Sequence, residues 1–270
     1  MKKVLCAVLL VSVFAVSASA EVVGALTRIT ISPEAAQTNV AAKRSAAVRS
    51  ALLPAYGKDV SPRYYNSMID MLMALQAGEI DSMALPECVS EYILRTNQKT
   101  EIRGLILGNG SMKLVMGLKE GNESLRNKIN AAIMDMQKDG TLDRLIRIYV
   151  VEQDSHEAKP EPFDEYDNAD TLKVAITGDF PPIDYVDAGG FAAGYNTAML
   201  AELGRRLHMN IQLEYTGAAS RAATLMSGRA NVVFWFEVSA GGQQFDVPEG
   251  IITTTPYYGW NKMMWIGLER

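Results

Sequence analysis

The residues best suited to chemistry fall in two places in the second half of the chain. Asp179-Phe180-Pro181-Pro182 follows the apolar run Leu172-Lys173-Val174-Ala175-Ile176. That run reads as a buried strand, and a double proline cannot continue a sheet ladder. Asp179 and Phe180 then stand at a strand's carboxyl end, where open α/β sheets place their ligand crevice. The second place is Trp235-Phe236-Glu237, at the end of another apolar run. A carboxylate among aromatic side chains must find a partner or water. Carboxylates beside an aromatic wall suit an ammonium or another cationic group, held by charge pairing and cation–π contact. Covalent chemistry is poorly supplied, because the sequence holds no G-x-S-x-G elbow, no P-loop and no complete dinucleotide fingerprint. Beyond the first 20 residues there are two histidines, His156 and His208, and one cysteine, Cys88. That set is too small for a His/Cys metal cluster, so no catalytic group, metal or cofactor is expected.

The elements that position these residues follow from periodicity and punctuation. A short apolar strand covers Val22 to Leu26, and Ser32-Pro33-Glu34 opens a helix that Pro54 and Gly57 stop. After a strand near Arg63-Tyr64-Tyr65, the helix Ser67 to Gln76 carries Met68, Met71, Leu72 and Leu75 on one face, and Gly78 caps it. Ile80 to Leu85 reads as a buried strand, and Pro86-Glu87 starts a helix through Leu94. Strands follow around Arg103 to Leu107 and Lys113 to Leu118, then helices Glu123 to Lys138 and Thr141 to Tyr149. Glu152 to Asp170 is acidic, contains proline and has no period, as a linker would. Beyond Leu172–Ile176 come helix Asn196 to Leu207, strand Ile211 to Tyr215, helix Ser220 to Ser227, strand Asn231 to Val238, the Gly-rich loop Ser239 to Gly250 and strand Lys262 to Leu268. Leu75-Gln76-Ala77-Gly78-Glu79-Ile80-Asp81 is echoed by Leu225-Met226-Ser227-Gly228-Arg229-Ala230-Asn231, 150 residues later. Both are the α-to-β turn of a βαβ unit, so both halves are expected to be α/β.

The amino terminus reads as an export signal. Lys2-Lys3, the apolar run Val4 to Val16 and Ser17-Ala18-Ser19-Ala20 match a secretory signal peptide over residues 1–20, with an apolar run too short to span a bilayer. Cys6 lies inside the apolar run and no cysteine stands beside the cleavage site, so the mature chain is expected to be unlipidated and extracytoplasmic, periplasmic where that compartment exists, and a monomer. Apolar content of 48% and 21% charged residues suit a globular chain, and the net charge of −5 argues against nucleic-acid or anionic-membrane partners.

Two longer stretches carry a family resemblance. Leu172 to Tyr195, LKVAITGDFPPIDYVDAGGFAAGY, resembles the opening of extracytoplasmic solute-binding proteins of the amino-acid type, family 3 of the ABC-transporter substrate-binding proteins. Lys119 to Val150, KEGNESLRNKINAAIMDMQKDGTLDRLIRIYV, resembles the closing stretch of the same family, and Thr254-Thr255-Pro256-Tyr257-Tyr258 its segment before a crossing strand. Here the ending precedes the beginning. The resemblance therefore implies an α/β, two-lobed periplasmic-binding-protein-like (type II) fold in circularly permuted order, with the ligand cleft between lobes. Residues 21–150 would resemble the family's C-terminal lobe, 151–170 an acidic linker, and 171–270 the N-terminal lobe.

The same resemblance implies a ligand site. Phe180 would pack against the ligand, and the strand bearing Trp235, Glu237 and Ser239 would offer backbone and hydroxyl contacts. Glu87 lies at or next to the family's carboxylate for the ligand's ammonium, although a helix start also favours it there. Thr27 and Arg28 would add hydroxyl and amide donors. One departure stands out: Ser239-Ala240-Gly241-Gly242-Gln243-Gln244 lacks the arginine that grips an α-carboxylate. Arg221 or Arg28 would have to replace it, or the ligand lacks that group. The expected function is capture of a small polar metabolite, an amino acid, amine or related compound, for a membrane ABC permease, with basic solutes preferred over acidic ones. Two other classes stay open: an exported dehydratase-like enzyme on this fold with Glu237 or Glu87 as acid or base, and a ligand sensor acting in trans on a membrane partner.

Overall fold

A computed structural model describes residues 21–26, 60–97, 99–153, 162–239 and 247–269. The expected signal peptide, the helix from Ser32, Thr27, Arg28 and most of the Gly-rich loop lie outside these residues, as does the side chain of Ser239. In chain order the first elements are β1 (Glu21–Leu26), β2 (Val60–Tyr65), α1 (Met68–Gln76), β3 (Ser82–Pro86), α2 (Glu87–Thr96) and β4 (Thr100–Lys119). α3 (Glu123–Lys138) and α4 (Thr141–Ile146) follow, the latter running on as a π-helical turn, Arg147–Glu152. Next come β5 (Thr171–Ile176), the small strands β6 (Asp179–Phe180), β7 (Asp184–Val186) and β8 (Ala192–Ala193), then α5 (Tyr195–Leu207) and β9 (Asn210–Tyr215). A 3-10 turn, Ala218–Ser220, leads into α6 (Arg221–Met226), β10 (Val232–Ser239), β11 (Ile251–Thr253) and β12 (Tyr258–Leu268).

One mixed sheet runs β2-β1-β3-β12-β4-β10-β5-β9, with β11 also pairing on β4. Its two ends are built alike. β1 pairs in parallel with β2 and β3, and β5 pairs in parallel with β9 and β10. In each, a helix stops at a glycine with positive φ, Gly78 (+72°) or Gly228 (+75°), a conformation that costs glycine little. The echo then closes identically. The Asp81 carboxylate accepts from Val22 N at 2.8 Å while Asp81 N donates to Val22 O at 2.8 Å; the Asn231 amide oxygen accepts from Lys173 N at 2.9 Å while Asn231 N donates to Lys173 O at 2.8 Å. A single sequence motif thus ties each third strand to the strand at the centre of its unit.

The middle of the sheet departs from expectation. The two strands expected around 103–107 and 113–118 are one strand, β4, because β12 pairs antiparallel along both of its ends. Lys262 to Leu268 lie against Leu107 to Thr100, Tyr258 to Trp260 against Leu114 to Met112, with a register shift between. Among the described residues the chain therefore passes between the two α/β ends twice, both times as strand. Residues 112–150, expected with the first half, join the second. Lys113 to Leu118 pair with β10, α3 and α4 pack on α5, and Arg206 meets Asp139 at 2.7 Å. α3 buries Ile129, Ala132, Ile133 and Met136, one stripe at helical spacing, which is why it docks there. The described part of the expected linker, from 162, has no regular structure but is tied down. Tyr166 N donates to the Asn210 side chain at 2.8 Å, and the Asn210 amide returns a bond to Tyr166 O at 3.1 Å. Among the described residues no helix is long and apolar enough to cross a membrane.

Candidate functional site

The turn after β5 gathers the aromatic residues expected to face a ligand. Phe180 is buried (1% exposed) with its ring centroid 4.8 Å from that of Trp235, also buried (2%). The two are therefore brought together, from strands β6 and β10. Arg221, 2% exposed, closes the stack from the other side, its guanidinium 4.7 Å from the Trp235 ring and 5.3 Å from that of Phe236. It donates to the carbonyl of Trp235 and, at 3.1 Å, to that of Ala218. Its charge is thus spent on backbone and rings within its own half, and it holds the Trp235 segment in place. Glu237 follows on β10 opposite Leu114 and is partly exposed; Ser239 ends the strand opposite Met112.

Asp184 sits beneath this stack, its backbone paired with Phe180. One carboxylate oxygen accepts from the Thr177 backbone N at 3.0 Å and hydroxyl at 3.1 Å, while the other has no hydrogen-bond partner. Burial drives its pKa upward against the hydrogen bonds from Thr177 and Gly178. α5 is seated by the same turn: Tyr195 N donates to Pro182 O at 3.1 Å and Asn196 N to Ile183 O at 2.8 Å.

The charged part of the site lies at the junction of the two ends. Glu87 opens α2, and its carboxylate meets Lys262 of β12, Nζ to Oε1, at 3.0 Å. Lys262 is the first residue of β12 beyond the register shift. Tyr258, earlier on the same strand, packs on Tyr195 of α5 at 5.4 Å and on Trp260 at 6.2 Å. Burial pushes the Tyr258 hydroxyl well up, helped by the Cys88 thiol within hydrogen-bonding reach and by the Glu87 charge. Across the same seam Tyr92 of α2 meets Tyr185 of β7 at 5.8 Å. An ion pair with the Tyr258 hydroxyl close enough to feel the Glu87 charge can hold a small polar molecule through charge and hydrogen bonding. Sequence reasoning missed Lys262, which lies 175 residues from Glu87; its only signal was a cation in the strand after Tyr257-Tyr258. Among the described residues, no three of His, Cys, Asp and Glu converge to hold a metal ion. A cavity of about 510 Å³ lies instead at the sheet edge, between Phe163–Asp167 and Asn210–Ile211. Its charged lining is all acidic, and it is formed by the docked linker.

No family model and no curated protein sequence matches the chain. Among solved structures it is similar to a zinc-bound ligand-binding component of an ABC-type import system from Staphylococcus aureus, at 13% identity and a TM-score of 0.46, over 92% of this chain and 66% of that one. It is also similar to PhnD1 from Prochlorococcus marinus in complex with methylphosphonate, at 8% identity and 0.45, over 92% and 76%. A third is the periplasmic aliphatic sulphonate binding protein SsuA from Escherichia coli, at 12% and 0.38, over 92% and 65%. Likenesses of this depth assign this chain neither a ligand nor a partner.

Proposed function

We propose that the chain is an exported solute-binding protein whose two lobes are joined in permuted order. The observation that carries this reading is the double strand crossing, β4 and β12, with the Glu87–Lys262 pair and aromatic side chains from both ends gathered at it. Two α/β units linked by two strands suit closure on a small molecule held between them. The sequence motifs at Lys119–Val150 and Leu172–Tyr195 support the amino-acid type of binder, with a polar metabolite as cargo and a membrane ABC permease as partner. Glu87, Phe180, Trp235 and Glu237 are the proposed site residues, and Ser239, Thr27 and Arg28 are proposed with them on the sequence resemblance alone. Arg221 acts by supporting Trp235. Binding without turnover is the proposed activity, since the groups at the junction are suited to holding charge. Native mass spectrometry of gently purified exported protein tests this: a co-purified small molecule, released unchanged on denaturation, is expected. Release of a chemically altered product on incubation would overturn it in favour of an enzyme. The same spectra should give a monomer beginning at Glu21, the proposed product of signal cleavage.

A further inference from the structure

We propose that Lys262 is the residue that recognises an anionic group of the solute, and that the Glu87–Lys262 pair selects molecules carrying both charges. This rests on the solute-binding reading above and narrows it. A carboxylate at a cleft normally invites a cation, but Glu87 already faces one at 3.0 Å. A simple amine would have to displace a tethered ammonium and leave Lys262 without its counter-ion. A simple carboxylate would strand Glu87 in the same way. A solute with both an ammonium and a carboxylate replaces the one pair by two, and no charge is left unmatched.

Three features favour such an exchange. The pair is half-exposed, the side chains of Lys262 and Glu87 being 42% and 31% accessible, and exposed pairs contribute little and reorganise readily. Lys262 stands where β12 leaves one end of the sheet for the other, so its ammonium lies at the seam. Arg221 is meanwhile committed: it is buried and bound to the carbonyls of Trp235 and Ala218. Lys262 is thus the cation placed to do what the residues after Ser239, with no arginine, do not.

The test uses the mature chain and matched trios of probes: an α-amino acid, the amine left by its decarboxylation and the carboxylate left by its deamination, in apolar, polar and charged side-chain series. Calorimetric titration of the wild type is expected to show binding of the amino acid alone in at least one trio. Lys262→Met should weaken that binding at least tenfold and admit the amine, and Lys262→Arg should restore the original preference. Glu87→Gln should instead admit the carboxylate, an arm that does not depend on how well Lys262→Met folds. Wild type that binds the amine as tightly as the amino acid, or Glu87→Gln with an unaltered preference, overturns the proposal. Silence across every trio also overturns it; a co-purified molecule without both charges would then leave the solute-binding reading standing on its own.

Discussion

Two buried charged residues beneath the aromatic stack behave oppositely. Arg221 has two carbonyls and two ring faces for its guanidinium, so its burial is compensated. Arg221→Met leaves those carbonyls without their donor and loosens Trp235. It is expected to cost about 2–4 kcal/mol in denaturant unfolding, the range for losing charge-assisted bonds and a desolvated cation–π contact. Asp184 is under-compensated, and burial raises its pKa. A carboxyl whose folded pKa exceeds its unfolded one stabilises the fold while protonated. That contribution is full below the unfolded value, about 3.9, and is lost as pH rises through the folded value. Asp184→Asn keeps an acceptor for Thr177 and stays neutral at every pH. The variant should therefore outlast wild type in urea at pH 8, with the gap closing towards pH 4. Equal midpoints at pH 8, or a gap that widens in acid, would contradict the assignment.

The turn that positions Phe180 is also the seat of α5, and Gly194 is the position that joins them. It adopts φ +96°, and an added Cβ would lie 2.5 Å from Pro182 O and 2.9 Å from Ile183 O, both backbone. Gly228 also has positive φ, but a Cβ there meets nothing within 4 Å. Gly228→Ala should thus cost about 1–2 kcal/mol, the left-handed penalty alone. Gly194→Ala should cost about 3 kcal/mol or more, because strain and overlap with an immovable backbone add. Paired urea titrations check the order, and near-UV circular dichroism should report disturbed tyrosine and tryptophan packing in the Gly194 variant alone. The charge pattern of α5 works with its packing: Arg206 binds Glu202 at 2.8 Å and Asp139 of the α3–α4 turn at 2.7 Å, and hydrogen bonds from Thr141 and then Arg206 draw Asp139 down to about 2. That bond to the second half persists until strongly acid pH, since a depressed carboxyl loses its contribution only as pH falls below its ordinary value.

At the scale of the whole molecule, the two ends share one sheet through β4 and β12. No described residue between Lys119 and Thr171 belongs to the sheet, so a cut between Glu152 and Asp170 severs no sheet pairing among the described residues. Limited proteolysis is expected to cut first between Glu152 and Asp170, giving two fragments that co-elute on gel filtration. β4–β10 pairing, the α3–α5 contact and the Asp139–Arg206 bond hold them together. Fragments that separate without denaturant, or early cleavage inside α5, would rule out this arrangement. Residues 171–270 expressed alone should fail to fold, since β10 would lose its β4 neighbour and α5 the cover of α3 and α4.

Local order was legible in the sequence because its causes are local. The α1 stripe, the glycine stops at 78 and 228 and the apolar strands are each set by residues within a few positions, and together they specify an α/β chain. The Leu75–Asp81 echo foretold two like units, and the paired backbone clasps at Asp81 and Asn231 carry it into geometry. What the sequence could not determine was partnership across long separations. Residues 103–107 and 113–118 read as two strands, yet β12 pairs along both stretches and makes them one, β4. Glu87 read as a carboxylate awaiting a cationic ligand, and only the fold brings Lys262 to it from 175 residues away. Periodicity records which face of an element is apolar; which surface covers that face, and which charge meets which, is decided when the sheet assembles.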